Sequence, residues 1–337
     1  MELIHADFGR NELGFVRDLN RFDAETSVRV DATEASNSWR LDLGADLWQR
    51  QPILEGHYLY IPDTEWGGPV EKVGHNTRTG VISLSGCTWR GMLGRQVICP
   101  PEGQAYRVYA DVSADRVARE LIEPILGELF RVPVQIAPDM SASFRFDPLL
   151  RGFQRALNDH GLAIDLRYNA ATRMVEVHIR QVMDFSGSLD LSQDYGMDMV
   201  TSSGSLTGYN HLIALGRGEL TERQVLHLYR LDDGSITEDK PAWADTIRDR
   251  VKVYDYSAAE TVDELRKGAV ARLNEYAQAG SLELDASELD IQAQLGDIVG
   301  ARDRVTGMAG TAPITGMILK MSEAGMTIEK RVGCWHQ

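Results

Sequence analysis

The Pro100-Pro101 pair separates two regimes of hydrophobic periodicity, and that break constrains the fold more than any other feature of the chain. Before it, short runs at Trp39 to Leu43, His57 to Ile61 and Val81 to Leu84 alternate or are rich in β-formers, and Gly and Pro clusters such as Trp66-Gly67-Gly68-Pro69 separate them. These predict a small antiparallel barrel or sandwich over residues 1–105. The proline pair forbids helix continuation and marks its edge. After it the period becomes 3.6: Ser113 is positioned to cap a helix in which Val117, Leu121, Ile122, Leu126 and Leu129 share a stripe, with Pro124 as a kink.

A second helix is signalled by Asp147 as N-cap and Pro148 at the first helical position, by the apolar face Leu149, Leu150, Phe153 and Leu157, and by Gly161 as the left-handed stop. Alternation at Leu162, Ile164, Leu166 and Tyr168, then at Val175, Val177 and Ile179, predicts a β-hairpin closing an α+β domain, 106–185. Residues 186–216 read as a Ser/Gly/Asp-rich connector and a strand, His211 to Leu215, returning toward the barrel. A mixed α+β domain, 217–280, follows: Val225 to Leu231 is a strand ending at the Asp232-Asp233-Gly234 turn. A helix then opens with the capping box Thr261-Val262-Asp263-Glu264 and stops at Gly280. Leu282, Leu284, Ile298, Val299, Ile314 to Met321 and Met326 to Ile328 predict a last β-module, 281–337, with Glu323-Ala324-Gly325 as a hairpin loop.

Hydrophobic residues make up 43% of the 337 and charged residues 25%, a globular composition that excludes general disorder. A net charge of -15 with no basic block argues against sequence-tracking nucleic-acid binding. No apolar run approaches membrane-spanning length, and Glu2, His5 and Asp7 stand where a signal peptide needs an apolar stretch, so a cytosol-like compartment is expected. Cys87, Cys99 and Cys334 are odd in number, sparse and without paired spacing; they read as incidental thiols, neither a disulfide framework nor a zinc site.

There is no Gly-x-Ser-x-Gly elbow, and Gly216-Arg217-Gly218 lacks the third glycine of a phosphate cradle. Asp232, Asp233, Glu238 and Asp239 miss the calcium-loop spacing and read as a solvated acidic hairpin. The eight histidines are scattered singly, with His178 and His227 in strands. Trp39, Trp48, Trp66 and Trp89 read as core and barrel-plugging residues, with a carbohydrate or partner surface as the alternative. No catalytic, cofactor-binding or metal-ligating residue is therefore assigned, and the expectation is a protein without enzymatic activity.

In the stretch from Gly86 to Pro101, the residues Gly86, Trp89, Leu93, Arg95, Val97 and Pro100 look like the pattern of siphophage tail-hub proteins. The helix around Asp115 to Leu126, the helix and hairpin of 148–180, and Leu295-Gly296-Asp297-Ile298-Val299 running on to Ile328-Glu329-Lys330 extend the resemblance over most of the chain. The design is similar to baseplate hubs of contractile tails. The resemblance implies an α+β multidomain fold with two small antiparallel β-barrels, 1–105 and 281–337, flanking the two mixed domains. It further implies a homotrimeric hub in the virion tail, made in the host bacterial cytoplasm, whose six barrels join a sixfold tail tube to the distal tail. Its implied partners are further copies of itself, the tail tube or distal tail protein, a tape-measure protein and a receptor-binding or lytic tip protein. DNA would pass through without specific binding, past an acidic lining that repels phosphate. In several relatives the chain continues into a lytic or receptor-binding domain; here it stops at Gln337, so that work is expected of another protein. A carbohydrate-binding or carbohydrate-degrading tail protein, and a spike-hub component of a bacterial phage-tail-like secretion tube, are the alternatives.

Overall fold

Phe22, Ala24 and Thr26 alternate with polar residues along the strand Arg21–Ser27, all three fully buried, and this modest pattern occupies the middle of the largest sheet. The fold is a computed structural model that describes residues 2–28, 34–187, 190–191, 198–203, 208–257, 259, 261–277, 280–285, 293–302, 309–323 and 325–332. Strand order in that eight-stranded sheet is Asp190–Leu191, Ile298–Arg302, Ala309–Ser322, Arg21–Ser27, Ser38–Gly44, Val81–Cys87 and Lys72–Asn76, with Gly325–Val332 pairing the distal half of the long strand. Strands from near the two ends of the chain therefore share one sheet: Gly316 pairs Ser27 and Met321 pairs Phe22 in antiparallel register. A smaller sheet, Glu12–Phe15, Ile4–Ala6, Tyr58–Tyr60 and Gly67–Pro69, packs beside it. Among the described residues the topology is mixed α+β and sheet-rich, with no sheet that closes on itself.

Five helices are described: α1 (Ala45–Arg50), α2 (Trp89–Gly94), α3 (Ala114–Leu126), α4 (Leu149–Asn158) and α5 (Val262–Ala277). The expected stripe of α3 is buried at Val117, Leu121 and Ile122. Ser113 occupies its N-cap, but its side chain makes no capping bond. The expected cap of α4 is corrected: Pro148 is the N-cap, and Asp147–Pro148 forms a short strand against Val97–Ile98. The Asp147 carboxylate accepts from the Arg145 amide and pairs with Arg155 instead of serving the helix. Gly161 does stop the chain in the left-handed region, at φ 66°, and the hairpin Leu162–Asn169 with Met174–Gln181 pairs in unbroken register.

Within the expected connector, Asp198–Ser203 is a strand pairing Gly280–Asp285 over six residues. Gly280 opens that strand, while α5 ends at Ala277. Thr261 accepts from the Glu264 amide as the capping box requires. Residue 204 in the Ser-rich run, residue 324 in the last hairpin and Cys334 lie outside the described residues. Among the described residues the buried clusters include one inside the large sheet around Phe22, Trp39, Leu41 and Leu319, one joining α2, α3 and α4 to the 162–181 hairpin, and one under α5 against His211–Leu215.

Candidate functional site: a junction of three modules

The motif residues gather around α2. Gly86 lies next to the end of the strand Val81–Cys87, where a Cβ would lie 1.9 Å from the Pro69 carbonyl oxygen, so only glycine permits the strand to pass. Thr88 caps α2, accepting from the Gly91 amide, and a Cβ at Gly91 would lie 2.5 Å from the Asn37 carbonyl. Those two glycines let the short helix sit against backbone. Trp89 is fully buried and stacks on Tyr168 of the hairpin, ring centroids 5.4 Å apart at 13°, and Leu93 is buried in the same cluster.

Arg95 and Val97, by contrast, face outward. Arg95 forks onto Glu71, whose other donor is the Cys87 thiol at 3.2 Å. Burial alone would raise the Glu71 carboxyl, but the bonds from Arg95 and Cys87 outweigh it and hold it below the usual range. Burial and the Glu71 charge push the Cys87 thiol up to about 12, which makes it inert. Val97 is 43% exposed at the short pairing with Asp147–Pro148, and Pro100 follows that strand.

Arg90, which the motif pattern does not include, is the centre of the junction. It is 1% exposed; its Nε donates to Glu65 at 2.8 Å and its Nη2 to the Ile164 carbonyl at 2.7 Å. Glu65 in turn accepts from the Thr26 hydroxyl at 2.9 Å. One guanidinium thus ties the shared sheet to the α+β hairpin. From the same hairpin Arg180 reaches the C-terminal module, with Nη1 2.5 Å from the buried Asp297 carboxylate and Nη2 2.7 Å from the Leu295 carbonyl. Asp297 also accepts from the Met183 and Gln294 amides. A cavity of about 190 Å³ lies between, its walls including Glu65, Trp66, Arg90, Ile164, Arg180 and Leu295.

Single-histidine scatter hid two pairs. His5 Nε2 lies 2.8 Å from His57 Nδ1 in the smaller sheet, and His211 lies 2.9 Å from both Asp249 and His227. Among the described residues no group of three or more His, Cys, Asp or Glu is arranged to hold a metal ion, and no helix is long and apolar enough to cross a membrane. Trp39, Trp66 and Trp89 are at most 4% exposed and Trp48 is half-buried, so the early tryptophans belong to the core, and the carbohydrate surface they were to supply is not there.

Over this arrangement the comparison with solved structures is decisive for the fold. A tail protein from Neisseria meningitidis superposes with a TM-score of 0.58 at 16% identity, over 99% of this chain and 97% of its own. The 43 kDa tail protein of prophage MuSo2 from Shewanella oneidensis gives 0.60 at 13%, over 99% and 98%. A prophage tail protein from Listeria monocytogenes gives 0.54 at 11%, over 98% and 94%. The fold is that of phage tail proteins. No protein-family model and no curated sequence matches the chain, so the likeness lives in the fold and not in residue identity.

Proposed function

We propose that this chain is a structural, non-enzymatic phage tail protein that forms a trimeric hub at the tail tip, adapting a sixfold tail tube to the distal tail and lining the DNA exit. The observation that carries the reading is the shared sheet, in which Arg21–Ser27 pairs Ala309–Ser322. It makes one unit of the two terminal modules, as a hub requires of the paired β-modules it contributes to a ring. The likeness to tail proteins over nearly the whole of both chains supports it.

In this reading 1–105 and 281–337 build the ring, 106–185 and 217–280 the outer cup, and 186–216 connects them. The motif residues Gly86, Trp89, Leu93, Arg95, Val97 and Pro100 have a structural role: the first three seat α2, and the rest carry the chain across to the α+β domain. Partners are further copies of the chain, the tail tube or distal tail protein, the tape-measure protein and a receptor-binding or lytic tip protein. The net charge of -15 suits a channel past which DNA slides without binding. Electron microscopy of the assembled tail tests it. Three 37.5 kDa chains in a ring at the tip are expected, and a dimer, a true hexamer or a lumen lined by Arg refutes it.

A further inference from the structure

Ile98 is buried while Val97 and Cys99 on either side of it are exposed, so the short ribbon of Val97–Ile98 with Asp147–Pro148 has one face inward and one outward. Pro148 stands opposite Val97, and the same register carried one step further sets Phe146 opposite Cys99. The outward face is therefore Val97, Cys99, Phe146 and Pro148, with Val97 43% and Phe146 64% exposed. Phe146 stands there at a backbone cost. Its φ of 53° lies in the left-handed region, where a bulky side chain is disfavoured and Asn or Gly is accepted. An aromatic ring held in water on strained backbone serves no packing within the chain, which leaves contact with another molecule as its use.

Positive charge borders this strip. The Arg145 guanidinium lies 5.5 Å from the centre of the exposed Tyr106 ring, and Arg107 donates from Nε to the Cys99 carbonyl at 3.1 Å. Among the described residues neither arginine forms an ion pair with a carboxylate. Asp147, between Phe146 and Pro148, is already taken by the Arg145 amide and by Arg155. An apolar strip flanked by two open guanidinium groups complements a protein segment that carries a carboxylate beside a bulky apolar side chain. Pro100, Pro101 and Pro148 deprive the ribbon of backbone donors, so side chains make the contact and not an added strand. Nucleic acid and anionic bilayers match it poorly, because two open cations do not offset the repulsion of phosphate by a chain of net charge -15.

We infer that Val97, Phe146 and Tyr106, with Arg107 and Arg145 beside them, form a docking surface for an acidic, apolar segment of a different protein. It gives the exposed Val97 of the motif a use beyond the fold. The surface needs neither a trimer nor a tail, so it stands or falls apart from the hub reading.

The test uses the full chain carrying Cys334→Ser, in which exposed Cys99 reports on the surface while Cys87 is buried. The rate at which Cys99 reacts with a neutral maleimide is followed as an acetylated and amidated Asp-Leu-Glu-Phe peptide is added. Saturable protection with a midpoint of about 1 mM or below is expected. Lys-Leu-Lys-Phe and Asp-Gly-Glu-Gly peptides should protect about tenfold less well, and Arg145→Gln and Phe146→Asn should each weaken protection by the first peptide about tenfold. Phe146→Asn should leave the thermal midpoint unchanged or raise it, since Asn suits the left-handed backbone. Absence of saturable protection up to about 10 mM peptide, equal protection by the three peptides, indifference to both substitutions, or a thermal midpoint lowered by Phe146→Asn would each overturn the inference. So would stronger protection by oligothymidylate, by phosphatidylglycerol vesicles, or by further copies of the chain as its own concentration rises.

Discussion

Acidification should unlock the smaller N-terminal sheet through the His5–His57 pair. His5 is fully buried on the strand Ile4–Ala6, and its Nδ1 lies 3.2 Å from the Gln51 side-chain amide. Its Nε2 therefore carries the proton that it shares with His57 Nδ1 at 2.8 Å. Phe8 closes the site edge-on at 4.8 Å from the His57 ring. Burial, then the neighbouring His57, lowers His5 from 6.5 to about 4, against a small opposing pull from Asp7. The unfolded chain binds a proton here below pH 6.5 while the native chain refuses it until about 4, so the unfolded state holds more protons across that window. The contribution is complete above pH 6.5 and is lost as pH falls to 4. Over the full window it amounts to about 3 kcal/mol at most.

The assay is urea unfolding at several pH values between 7.5 and 4, followed by tryptophan fluorescence, since Trp39, Trp48, Trp66 and Trp89 report this region. His5→Gln keeps a neutral polar group and should flatten the pH dependence relative to the native chain, the two curves diverging below pH 6.5. The ring protons of His5, followed by NMR, should titrate near pH 4. Parallel stability curves, or a His5 midpoint above 6, would refute the reasoning.

Three further outcomes follow from the junction. Arg90→Ala strands Glu65, whose side chain is 12% exposed, and should cost about 3 to 5 kcal/mol in chemical unfolding, while Arg90→Met with Glu65→Gln recovers much of it; equal losses would show that the pair is not coupled. Gly86→Ala drives a Cβ into the Pro69 carbonyl and should abolish soluble expression or lower the thermal midpoint sharply; an unchanged melting curve would show that the strand can shift aside. In the native protein at pH 8, Cys99, which is exposed, should react with a thiol reagent and Cys87 should not; prompt labelling of Cys87 in folded protein would contradict its burial.

The elements that sequence reveals are those whose signal is local. Strand alternation at Val81 to Leu84 and in the 162–181 hairpin survives intact, because one face is buried and the period is two residues. The strand Arg21–Ser27 escapes notice because its inward residues Ala24 and Thr26 are barely apolar, although their alternation with Phe22 is there to be read. Helix α2 escapes because Gly91 and Gly94 lower its propensity over only six residues, and the Thr88 cap is the one local clue. Asp147 misleads because Asp-Pro before an apolar run fits both a cap and a short strand, and the pairing with Val97–Ile98 decides between them. The motif omits Arg90, the buried centre of the junction. Nothing local marks Glu65 or Ile164 as its partners, 25 and 74 residues away.

The same distance in sequence sets how this chain must fold. Ser27 bonds to the Thr315 carbonyl across 288 residues, and the whole pairing of Arg21–Ser27 with Ala309–Ser322 is comparably remote. Closing so long a loop precedes any reward from the contact, so this pairing forms late. Until it does, Arg21–Ser27 keeps one bare edge beside its pairing with Ser38–Gly44. That edge invites association with other chains. A chain cut before residue 281 would hold the edge open permanently, and light scattering on the 1–280 fragment should show aggregation that the full chain lacks. A monodisperse fragment with the full chain's thermal unfolding would mean that the N-terminal module closes its own sheet and that the shared sheet adds nothing to its stability.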